Sequence, residues 1–310
     1  MDTRKIGSLA VSVVGIGCNN FGSRIDDQKS GEVVDAALED GINFFDTADI
    51  YGNGSSEELL GRSLRGRRSK AVVATKFAME MEGQGSGAAP EYIHQACDAS
   101  LKRLGMDYID LYQQHVPDPD VPIADTLGAL TDLVEAGKVR EIGCSNFSAE
   151  QLREAKLASA RLHSARFVAV QNEYSLLHRE PEQDGVLEET EREGIAFLPF
   201  FPLKAGLLSG KFRKGKTIPQ DTRVAKFERY KKLLTDDNLD RIEALAGFAQ
   251  NHNKSLLELA VSWLLAHRSV ASVIAGASSA DQVRKNAAAA NWRLDVTDLR
   301  EIDALLRAID

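Results

Sequence analysis

The fold is decided by three short, largely apolar runs that each end on a polar residue: INFFD at Ile42–Asp46, AVVATK at Ala71–Lys76 and DLYQQH at Asp110–His115. Each run has the length and composition of a buried β-strand, and its polar residue stands at the carboxyl end. In a barrel of parallel strands all the carboxyl ends lie on one face, and enzymes of that fold place their active sites there. We therefore expect a carboxylate, an ammonium and an imidazole to meet at one end of a barrel.

Predicted strands and helices alternate along the chain. The predicted barrel strands are Val13–Gly15, Asn43–Asp46, Ala71–Thr75, Ile109–Gln114, Val139–Gly143, Phe167–Val170, Ile195–Phe200 and Val270–Ala275. The predicted helices are Asp27–Glu39, Ser55–Leu64, Pro90–Leu104, Asp125–Ala136, Ala149–Ala158, Asp184–Glu193, Leu239–His252, Ser255–His267, Ala280–Ala290 and Thr297–Ile309. This α/β order predicts a (β/α)8 TIM barrel with an N-terminal β-hairpin at residues 4–14 and additional C-terminal helices. Because no linker or shift in composition divides the chain, residues 1–310 are predicted to form a single domain.

One long segment, from Phe212 to Asn238, shows no strand pattern. Loops of that length are uncommon in compact domains, and they often cover a ligand. The alternative is a surface helix near Val224–Leu234. Because the segment follows a strand whose end lies on the predicted active face, we favour a role in covering the ligand.

Composition and charge exclude several classes of partner. The net charge of −8 argues against nucleic acid, and no apolar stretch approaches the length of a membrane span. The first residues, MDTRKIGSLAVSV, lack the apolar core of a secretory signal. Cys18, Cys97 and Cys144 are scattered and odd in number, so they predict neither a disulfide framework nor a metal site. We expect a cytoplasmic monomer that holds no metal and acts on a small molecule.

The polar strand ends suggest proton transfer to a carbonyl group. Tyr51 lies in the loop just after Asp46. A carbonyl that receives hydride builds up charge on its oxygen, so it needs a proton donor within hydrogen-bond reach. A phenol has a pKa of about 10, and a neighbouring ammonium such as that of Lys76 lowers it by stabilising the tyrosinate. Asp46 would hold that ammonium in place, and His115 would orient the carbonyl.

Each of these residues also has a structural explanation. Asp46 is a possible helix N-cap, and Lys76 a rim residue whose aliphatic stem is buried. His115 is a possible hydrogen-bonding loop residue, and Tyr51 a packed aromatic. Lys76 is also a possible Schiff-base amine in a lyase. Their joint position at successive strand ends favours the proton-transfer site.

Polar and aromatic residues continue at the later strand ends. Ser145 and Asn146 end the fifth predicted strand, Gln171 follows the sixth and Phe200 ends the seventh. Amides pair with a carboxamide, and a flat aromatic ring stacks on another ring, so this set suits a ring that bears a carboxamide.

Glycine-rich segments after the last two strands suit phosphate. KAGLLSGK, with Gly206 and Lys211, follows strand seven, and GASSADQ follows strand eight and enters a helix. Backbone N–H groups at a helix start bind anions, and barrels of this type often bind phosphate after strands seven and eight.

With these residues in view, the chain resembles the aldo-keto reductases over essentially its whole length. The matching segments are GINFFDTADIYGNGSSEELLG, VVATK, DLYQQH, VREIGCSNF, VQNEYSLL, FFPLKAGLLSGK and VIAGASSADQVRKN. The resemblance implies reduction of an aldehyde or ketone to an alcohol, or the reverse, with a nicotinamide cofactor. It also implies Tyr51 as general acid with Lys76 and Asp46 tuning it, while His115 orients the carbonyl. The same family includes regulatory subunits associated with channels, which is the alternative function.

The resemblance also assigns cofactor contacts. It implies that the nicotinamide is held by Ser145, Asn146, Gln171 and Phe200, the pyrophosphate by Leu203, Gly206 and Lys211, and the adenosine end by Arg223, Ser278, Gln282 and Asn286. Gln282 stands where some members carry arginine, and Gly276 where they carry lysine, so NAD is possible. Arg223 offers a charged fork for a 2′-phosphate, so NADPH is preferred. The expected substrate pocket consists of Asn20, Phe21, Tyr51, Phe77, Met79, Val116 and Phe201, with Phe227 or Tyr230 from the long segment.

Overall fold

Eight parallel strands form a sheet that closes on itself. The computed structural model describes residues 1–220 and 222–309; Asp221, within the predicted long segment, and Asp310, at the end of the predicted domain, lie outside the described residues. The strands are β1 Thr3–Ile6, β2 Leu9–Ser12, β3 Val14–Gly17, β4 Phe44–Asp46, β5 Val72–Phe77, β6 Ile109–Gln114, β7 Val139–Ser145, β8 Phe167–Glu173, β9 Ala196–Phe200 and β10 Val273–Gly276. From β3 to β9 each strand pairs with the next, and β10 pairs with β3.

The two remaining edges, β9 and β10, meet just before β10 begins. Phe197 forms a parallel bridge with Val270, and the backbone N–H of Ala271 donates to the carbonyl of Phe197 at 2.9 Å. The predicted last strand, Val270–Ala275, therefore starts too early, because its first residues pair with β9 rather than with β3. The predicted (β/α)8 barrel is confirmed.

Helices surround the barrel. They are α1 Asp27–Glu39, α2 Ser55–Ser63, α3 Pro90–Leu104, α4 Ile123–Glu135, α5 Ala149–Leu162, α6 Glu180–Gln183, α7 Val186–Glu193, α8 Arg223–Lys226, α9 Glu228–Lys231, α10 Asp236–Asn251, α11 Leu256–Ala266, α12 Ala280–Ala288 and α13 Val296–Arg307. Capping boxes at Ser148 and Ser255 set the starts of α5 and α11. The predicted helix Asp184–Glu193 corresponds to α7 and starts two residues too early, because Gly185, with a φ of 82°, precedes the first helical residue Val186. None of the helices in residues 1–220 and 222–309 combines the length and apolarity needed to cross a membrane.

The hairpin of β1 and β2 closes the amino end of the barrel. Its residues Ile6, Leu9 and Val11 are buried, and they belong to one apolar cluster with inward-facing residues of the barrel strands. The barrel members of this cluster are Phe44, Ala74, Leu111, Val168, Ala169, Ala196, Leu198, Ala271 and Ile274. The predicted N-terminal hairpin is confirmed, and it leaves the carboxyl end as the open end of the barrel.

The chain between β9 and α10, which includes the long segment Phe212–Asn238, contains short helices rather than one surface helix. A 3-10 helix at Lys204–Ser209 is followed by α8 and α9, which are separated at Phe227 because its backbone is extended (φ −123°, ψ 119°). The side chain of Thr222 caps α8 by accepting from the N–H of Ala225. The segment thus has defined local structure where the sequence predicted only an irregular loop or a longer helix.

Candidate functional site

A buried ion pair lies at the carboxyl ends of β4 and β5. The ammonium of Lys76 donates to Asp46 Oδ2 at 2.7 Å and to the carbonyl of Thr47 at 2.8 Å. Lys76 has no exposed surface, and Asp46 is nearly buried. Burial alone would lower the pKa of Lys76, but the neighbouring Asp46 and Tyr51 raise it above its usual value. Lys76 is therefore an ammonium at neutral pH.

Two glutamines hold the other oxygen of the same carboxylate. The amide nitrogens of Gln113 and Gln171 donate to Asp46 Oδ1 at 3.3 and 3.0 Å, and Gln171 also donates to Gln113 Oε1 at 3.4 Å. Because a carboxylate only accepts hydrogen bonds, both amides must turn their nitrogens towards Asp46. The oxygen of Gln171 then accepts no hydrogen bond from any described residue. Gln113 is a site residue that the sequence analysis did not single out.

Tyr51 lies beside the ion pair. The Lys76 ammonium is 5.3 Å from the centre of the Tyr51 ring, and the His115 ring packs edge-on against that ring at 5.9 Å. Burial raises the pKa of Tyr51 above its usual value, and the opposing effect of Lys76 only partly offsets the rise. The expectation of a lowered phenol pKa is therefore wrong, because burial outweighs the effect of the ammonium. Tyr51 holds its proton at neutral pH.

His115 is a neutral imidazole. Burial and then the charge of Lys76 lower its pKa to about 3. Its Nδ1 atom is buried and has no hydrogen-bond partner within the described part of the chain. An N–H at Nδ1 would thus lack an acceptor, which favours the tautomer that carries the proton on Nε2.

A cavity of about 1400 Å³ opens at this end of the barrel. Small-molecule sites commonly have about 300–1,000 Å³, so the cavity has room for a dinucleotide and a substrate together. It is lined by Asp46, Tyr51, His115, Ser145, Asn146, Gln171, Phe200, Leu203, Gly206, Lys211, Arg223, Ser278, Gln282 and Asn286. These are all of the residues proposed from the sequence for catalysis and cofactor binding except Lys76, which is fully buried.

The residues after β7 and β8 are tied to the centre of the site. The hydroxyl of Ser145 donates to the carbonyl of Gln171 at 2.7 Å. The amide of Asn146, whose φ is 61°, donates to the carbonyl of His115 at 3.0 Å. Phe200 packs edge-on against Phe201 at 5.5 Å. These contacts fix the positions of the polar groups that face the cavity.

The part of the cavity expected to bind the pyrophosphate and the adenosine end contains an unobstructed glycine and a contact between distant segments. Gly206 has a φ of 100°, and no atom lies within 4 Å of where its Cβ would be. The N–H and hydroxyl of Ser278 both donate to Gln282 Oε1, at 2.9 and 3.2 Å. Arg223 crosses to the loop after β3, where it donates to Asn19 and Asn20 at 3.0 and 2.7 Å. The long segment is thereby pinned across the mouth of the barrel.

Part of the expected substrate pocket is wrong. Phe21 and Phe77 are fully buried, and Phe77 stacks on Tyr112 at 4.8 Å on the outer side of the sheet. Alternation along β5 explains this, because Lys76 faces into the barrel and its neighbour must face out. Val116 is also absent from the lining, whereas Asn20, Tyr51, Met79 and Phe201 line it. Of the two alternatives in the long segment, Tyr230 lines the cavity and Phe227 does not.

The cysteines take no part in this cavity. Cys18, Cys97 and Cys144 are free and buried, and burial raises the pKa of each thiol. Within the described residues, no group of three His, Cys, Asp or Glu is placed to hold a metal ion.

Comparisons with known proteins agree with this geometry. The sequence profile of the Aldo/keto reductase family matches residues 13–307. A probable voltage-gated potassium channel subunit beta from Arabidopsis thaliana is 34% identical, over 90% of this chain and 87% of its own length. An L-glyceraldehyde 3-phosphate reductase from Escherichia coli (strain K12) is 34% identical, over 92% of this chain and 86% of its own. The structure of a glycerol dehydrogenase from Gluconobacter oxydans superposes with a TM-score of 0.84 at 30% identity, covering 99% of this chain and 95% of that one.

These matches extend over nearly the whole chain, and they join the fold to the reaction class expected from the sequence. Members of the matched family are oxidoreductases that use a nicotinamide cofactor on small carbonyl compounds, so the resemblance is confirmed. This chain belongs to the aldo/keto reductase family.

Proposed function

We propose that this protein reduces aldehydes or ketones with NADPH and that Tyr51 is the general acid. One observation carries the proposal: a protonated phenol lies beside the ammonium of Lys76, which is itself held by Asp46 at 2.7 Å. An acid that holds its proton at rest and has a fixed cation next to it is suited to give up that proton when charge develops on a substrate oxygen.

The proton step follows from these groups. A nicotinamide bound in the cavity supplies the hydride. As the carbonyl oxygen gains negative charge, Tyr51 donates its hydroxyl proton to that oxygen, and Lys76 stabilises the tyrosinate that remains. His115, neutral with its proton on Nε2, donates a hydrogen bond to the same oxygen. Asp46, bonded to Lys76 and to two glutamines, keeps the ammonium in place throughout.

The cofactor assignment rests on the chemistry that the cavity presents. Gln171 has a carboxamide oxygen without a donor among the described residues, which suits the N–H groups of another carboxamide. We assign Ser145, Asn146 and Phe200 to the same end of the cofactor. We assign Leu203, Gly206 and Lys211 to the pyrophosphate, and Arg223, Ser278, Gln282 and Asn286 to the adenosine end.

The preference for NADPH rests on charge. The oxygen of Gln282 accepts from Ser278, so Gln282 can offer a phosphate only its uncharged amide N–H groups. Arg223 and Lys285 line the cavity near this end. A guanidinium fork matches a phosphate better than an amide does, so we assign the 2′-phosphate to Arg223.

The test is a fluorescence titration of the protein with NADPH and with NADH, followed by turnover with 4-nitrobenzaldehyde. We expect tighter binding of NADPH and aldehyde-dependent oxidation of it. Arg223→Leu should weaken NADPH binding by about tenfold or more, while NADH binding serves as the control for local damage. Equal loss for both nucleotides would contradict the 2′-phosphate assignment, and binding of neither would contradict the proposed function.

The same experiment tests the proposed substrate class and distinguishes the reductase from a regulatory subunit. The name of the Escherichia coli relative states an aldehyde substrate, and we propose an aldehyde here as well. The name of the Arabidopsis relative favours a regulatory subunit, which would bind NADPH without turning over any of a panel of carbonyl compounds. A Schiff-base lyase is disfavoured because the amine of Lys76 is buried and charged.

A further inference from the structure

Among the described residues that line the cavity, cations outnumber carboxylates. The cations that line it are Arg24, Lys211, Arg223, Arg229 and Lys285, and the carboxylates are Asp46, Glu258 and Asp281. All three carboxylates are engaged: Asp46 by Lys76, Glu258 by Lys254 at 3.0 Å, and Asp281 by Lys285 at 2.8 Å. The whole chain has a net charge of −8, so the positive cavity is a local feature that attracts anions.

Arg24 belongs to the side of the cavity where Tyr51 lies. It sits in the loop between β3 and α1, and its N–H donates to the carbonyl of Asn20 at 2.9 Å. That loop packs closely on the loop that carries Tyr51: a Cβ on Gly22 would lie 2.1 Å from Ser55 Oγ, and one on Gly52 would lie 3.6 Å from the carbonyl oxygen of Phe21. The Arg24 side chain is exposed at the mouth of the cavity.

Arg229 approaches the mouth from the long segment. Its guanidinium lies 4.8 Å from the centre of the Tyr230 ring, and Tyr230 in turn contacts Phe201 edge-on at 6.1 Å. Tyr230 and Phe201 both line the cavity, beside Phe200. Arg229 therefore stands above an aromatic wall of the expected substrate pocket.

Among residues 1–220 and 222–309, neither Arg24 nor Arg229 has an acidic partner or makes a side-chain hydrogen bond. Burial lowers the pKa of Arg223, and the like charges of Arg24 and Arg229 lower it further. The like charges of these three guanidinium groups thus act on one another at a single cavity, and an anion bound among them would relieve their repulsion.

The alternatives are an ordinary solvated surface and a second contact to the cofactor. Arg24 and Arg229 line one cavity from two separate segments. Arg24 lies in the loop that packs on the loop of Tyr51, whereas the adenosine end is already assigned Arg223 and Lys285. Both observations favour a ligand that lies between Tyr51 and the mouth.

We propose that Arg24 and Arg229 bind an anionic group of the substrate, so that the preferred substrates are aldehydes or ketones bearing a phosphate or a carboxylate. The inference rests on the proposed function, because it places the carbonyl of the substrate at Tyr51 and the anion at the mouth. The two guanidiniums supply the charge-assisted hydrogen bonds that such an oxyanion requires.

The experiment compares matched pairs of substrates with NADPH. Glyceraldehyde 3-phosphate is paired with glyceraldehyde, and 4-carboxybenzaldehyde with 4-nitrobenzaldehyde. We expect the wild type to favour the charged member by about tenfold or more in kcat/KM, mainly through KM. The pair with the larger ratio identifies phosphate or carboxylate as the group bound. Equal kcat/KM within both pairs would overturn the inference while leaving the reductase function intact.

The variants locate the effect. Arg24→Gln and Arg229→Gln should each raise KM for the charged member by about tenfold and leave kcat and the uncharged member little changed. Arg65→Gln, an exposed arginine just after α2, is the control and should change neither. If Arg24→Gln or Arg229→Gln instead weakens NADPH binding but not NADH binding, these residues serve the cofactor and the inference is wrong.

A binding measurement keeps the inference testable if no substrate turns over. Calorimetric titration of the NADP-loaded protein with glycerol 3-phosphate measures anion capture without chemistry. We expect binding that weakens with salt and is lost in the Arg24→Gln, Arg229→Gln double variant. Absence of binding to the wild type would overturn the inference, and absence of nucleotide binding in the same protein would identify failure of the proposed function instead.

Discussion

The closed and open ends of this barrel are lined by side chains that lie only two residues apart on the same strands. On β4, β5, β6 and β8 an apolar residue of the closed end is followed two positions later by a polar residue of the open end: Phe44 and Asp46, Ala74 and Lys76, Leu111 and Gln113, Ala169 and Gln171. Two residues along a strand keep a side chain on the same face and advance it by roughly 6–7 Å. One layer of side chains therefore packs, and the next layer carries the proposed chemistry.

This difference shows how the fold holds a buried charge. The layer that includes Phe44 and Leu111 gains stability from apolar burial, and the hairpin covers it. The layer above contains a buried ion pair, which is stable only while each charge keeps its partner and its hydrogen bonds. Changes in the lower layer should affect stability alone, whereas changes in the upper layer should affect stability and turnover.

The largest expected effect comes from removing the buried cation. Lys76→Met leaves Asp46 charged without its ion-pair partner, which should cost roughly 3–5 kcal/mol of unfolding free energy. It also removes the charge that stabilises a tyrosinate, so kcat should fall by roughly 10²-fold or more. Urea unfolding and steady-state kinetics measure the two effects.

The double variant Asp46→Asn, Lys76→Met separates these effects. It removes both charges, so stability should largely return while turnover does not. Recovery of turnover along with stability would mean that the ion pair only supports the fold.

Leu111→Ala tests the closed end. Leu111 is fully buried beneath Gln113 on the same strand, so its truncation should cost about 2–5 kcal/mol of unfolding free energy. The kcat and the NADPH affinity should stay near those of the wild type below the unfolding transition. A large loss of kcat in a folded variant would break the distinction between the two layers.

Asp49 sharpens the comparison, because it is a buried carboxyl near the open end that forms no ion pair with a described residue. Burial, and then the charge of Glu57, raise its pKa to about 7. The folded state thus holds the proton more tightly than the unfolded state, and this stabilising contribution is lost as pH rises from about 4 to 7. The Asp49→Asn variant has no carboxyl to ionise at this position. Its unfolding free energy, relative to that of the wild type, should therefore rise between about pH 4 and about pH 7, by at most roughly 4 kcal/mol.

Urea unfolding of Asp49→Asn and wild type at about pH 5 and about pH 8 measures this change. Asp27→Asn, which replaces an exposed carboxylate in α1, is the matched control and should show a much smaller pH effect. A difference between Asp49→Asn and wild type that does not vary with pH would contradict a raised pKa for Asp49.

The smallest expected effect is at Gln113. Gln113→Leu removes one donor to Asp46 Oδ1 at 3.3 Å and one acceptor of Gln171. We expect a loss of about 1 kcal/mol in transition-state stabilisation, or roughly fivefold in kcat/KM, because Lys76 and Gln171 still hold the carboxylate. Gln114→Leu, on the outward side of the same strand, should leave kcat/KM unchanged, and an equal loss of kcat/KM there would show that the effect of Gln113→Leu is not specific to the site.

The sequence predicted the end of the barrel at which the polar groups meet, because strand order and strand-end residues are local patterns. It did not single out Gln113, since two adjacent glutamines precede His115 and only the pairing of Gln113 with Lys76 shows which one faces inward. The same alternation, applied to β5, would have excluded Phe77 from the substrate pocket. Contacts between distant segments, such as that of Arg223 with Asn19 and Asn20, leave no local signal.

The pKa of Tyr51 was also beyond the sequence. The pattern placed an ammonium near the phenol, which predicts a lowered pKa, but the sign of the net shift depends on how completely the phenol is buried. Burial of a loop residue such as Tyr51 is a property of the assembled barrel. The roles of Tyr51, Lys76, Asp46 and His115 stay predictions that kinetics must test.

The most direct test of the proton-transfer role is a single-turnover measurement with protein preloaded with NADPH. Wild type and Tyr51→Phe are mixed with an aldehyde, and the loss of NADPH absorbance is followed in time. The account predicts rapid loss in the wild type and almost none in Tyr51→Phe, although the variant binds NADPH with unchanged affinity. Equal rates of NADPH loss in the two proteins would show that Tyr51 is not the general acid and would contradict the account.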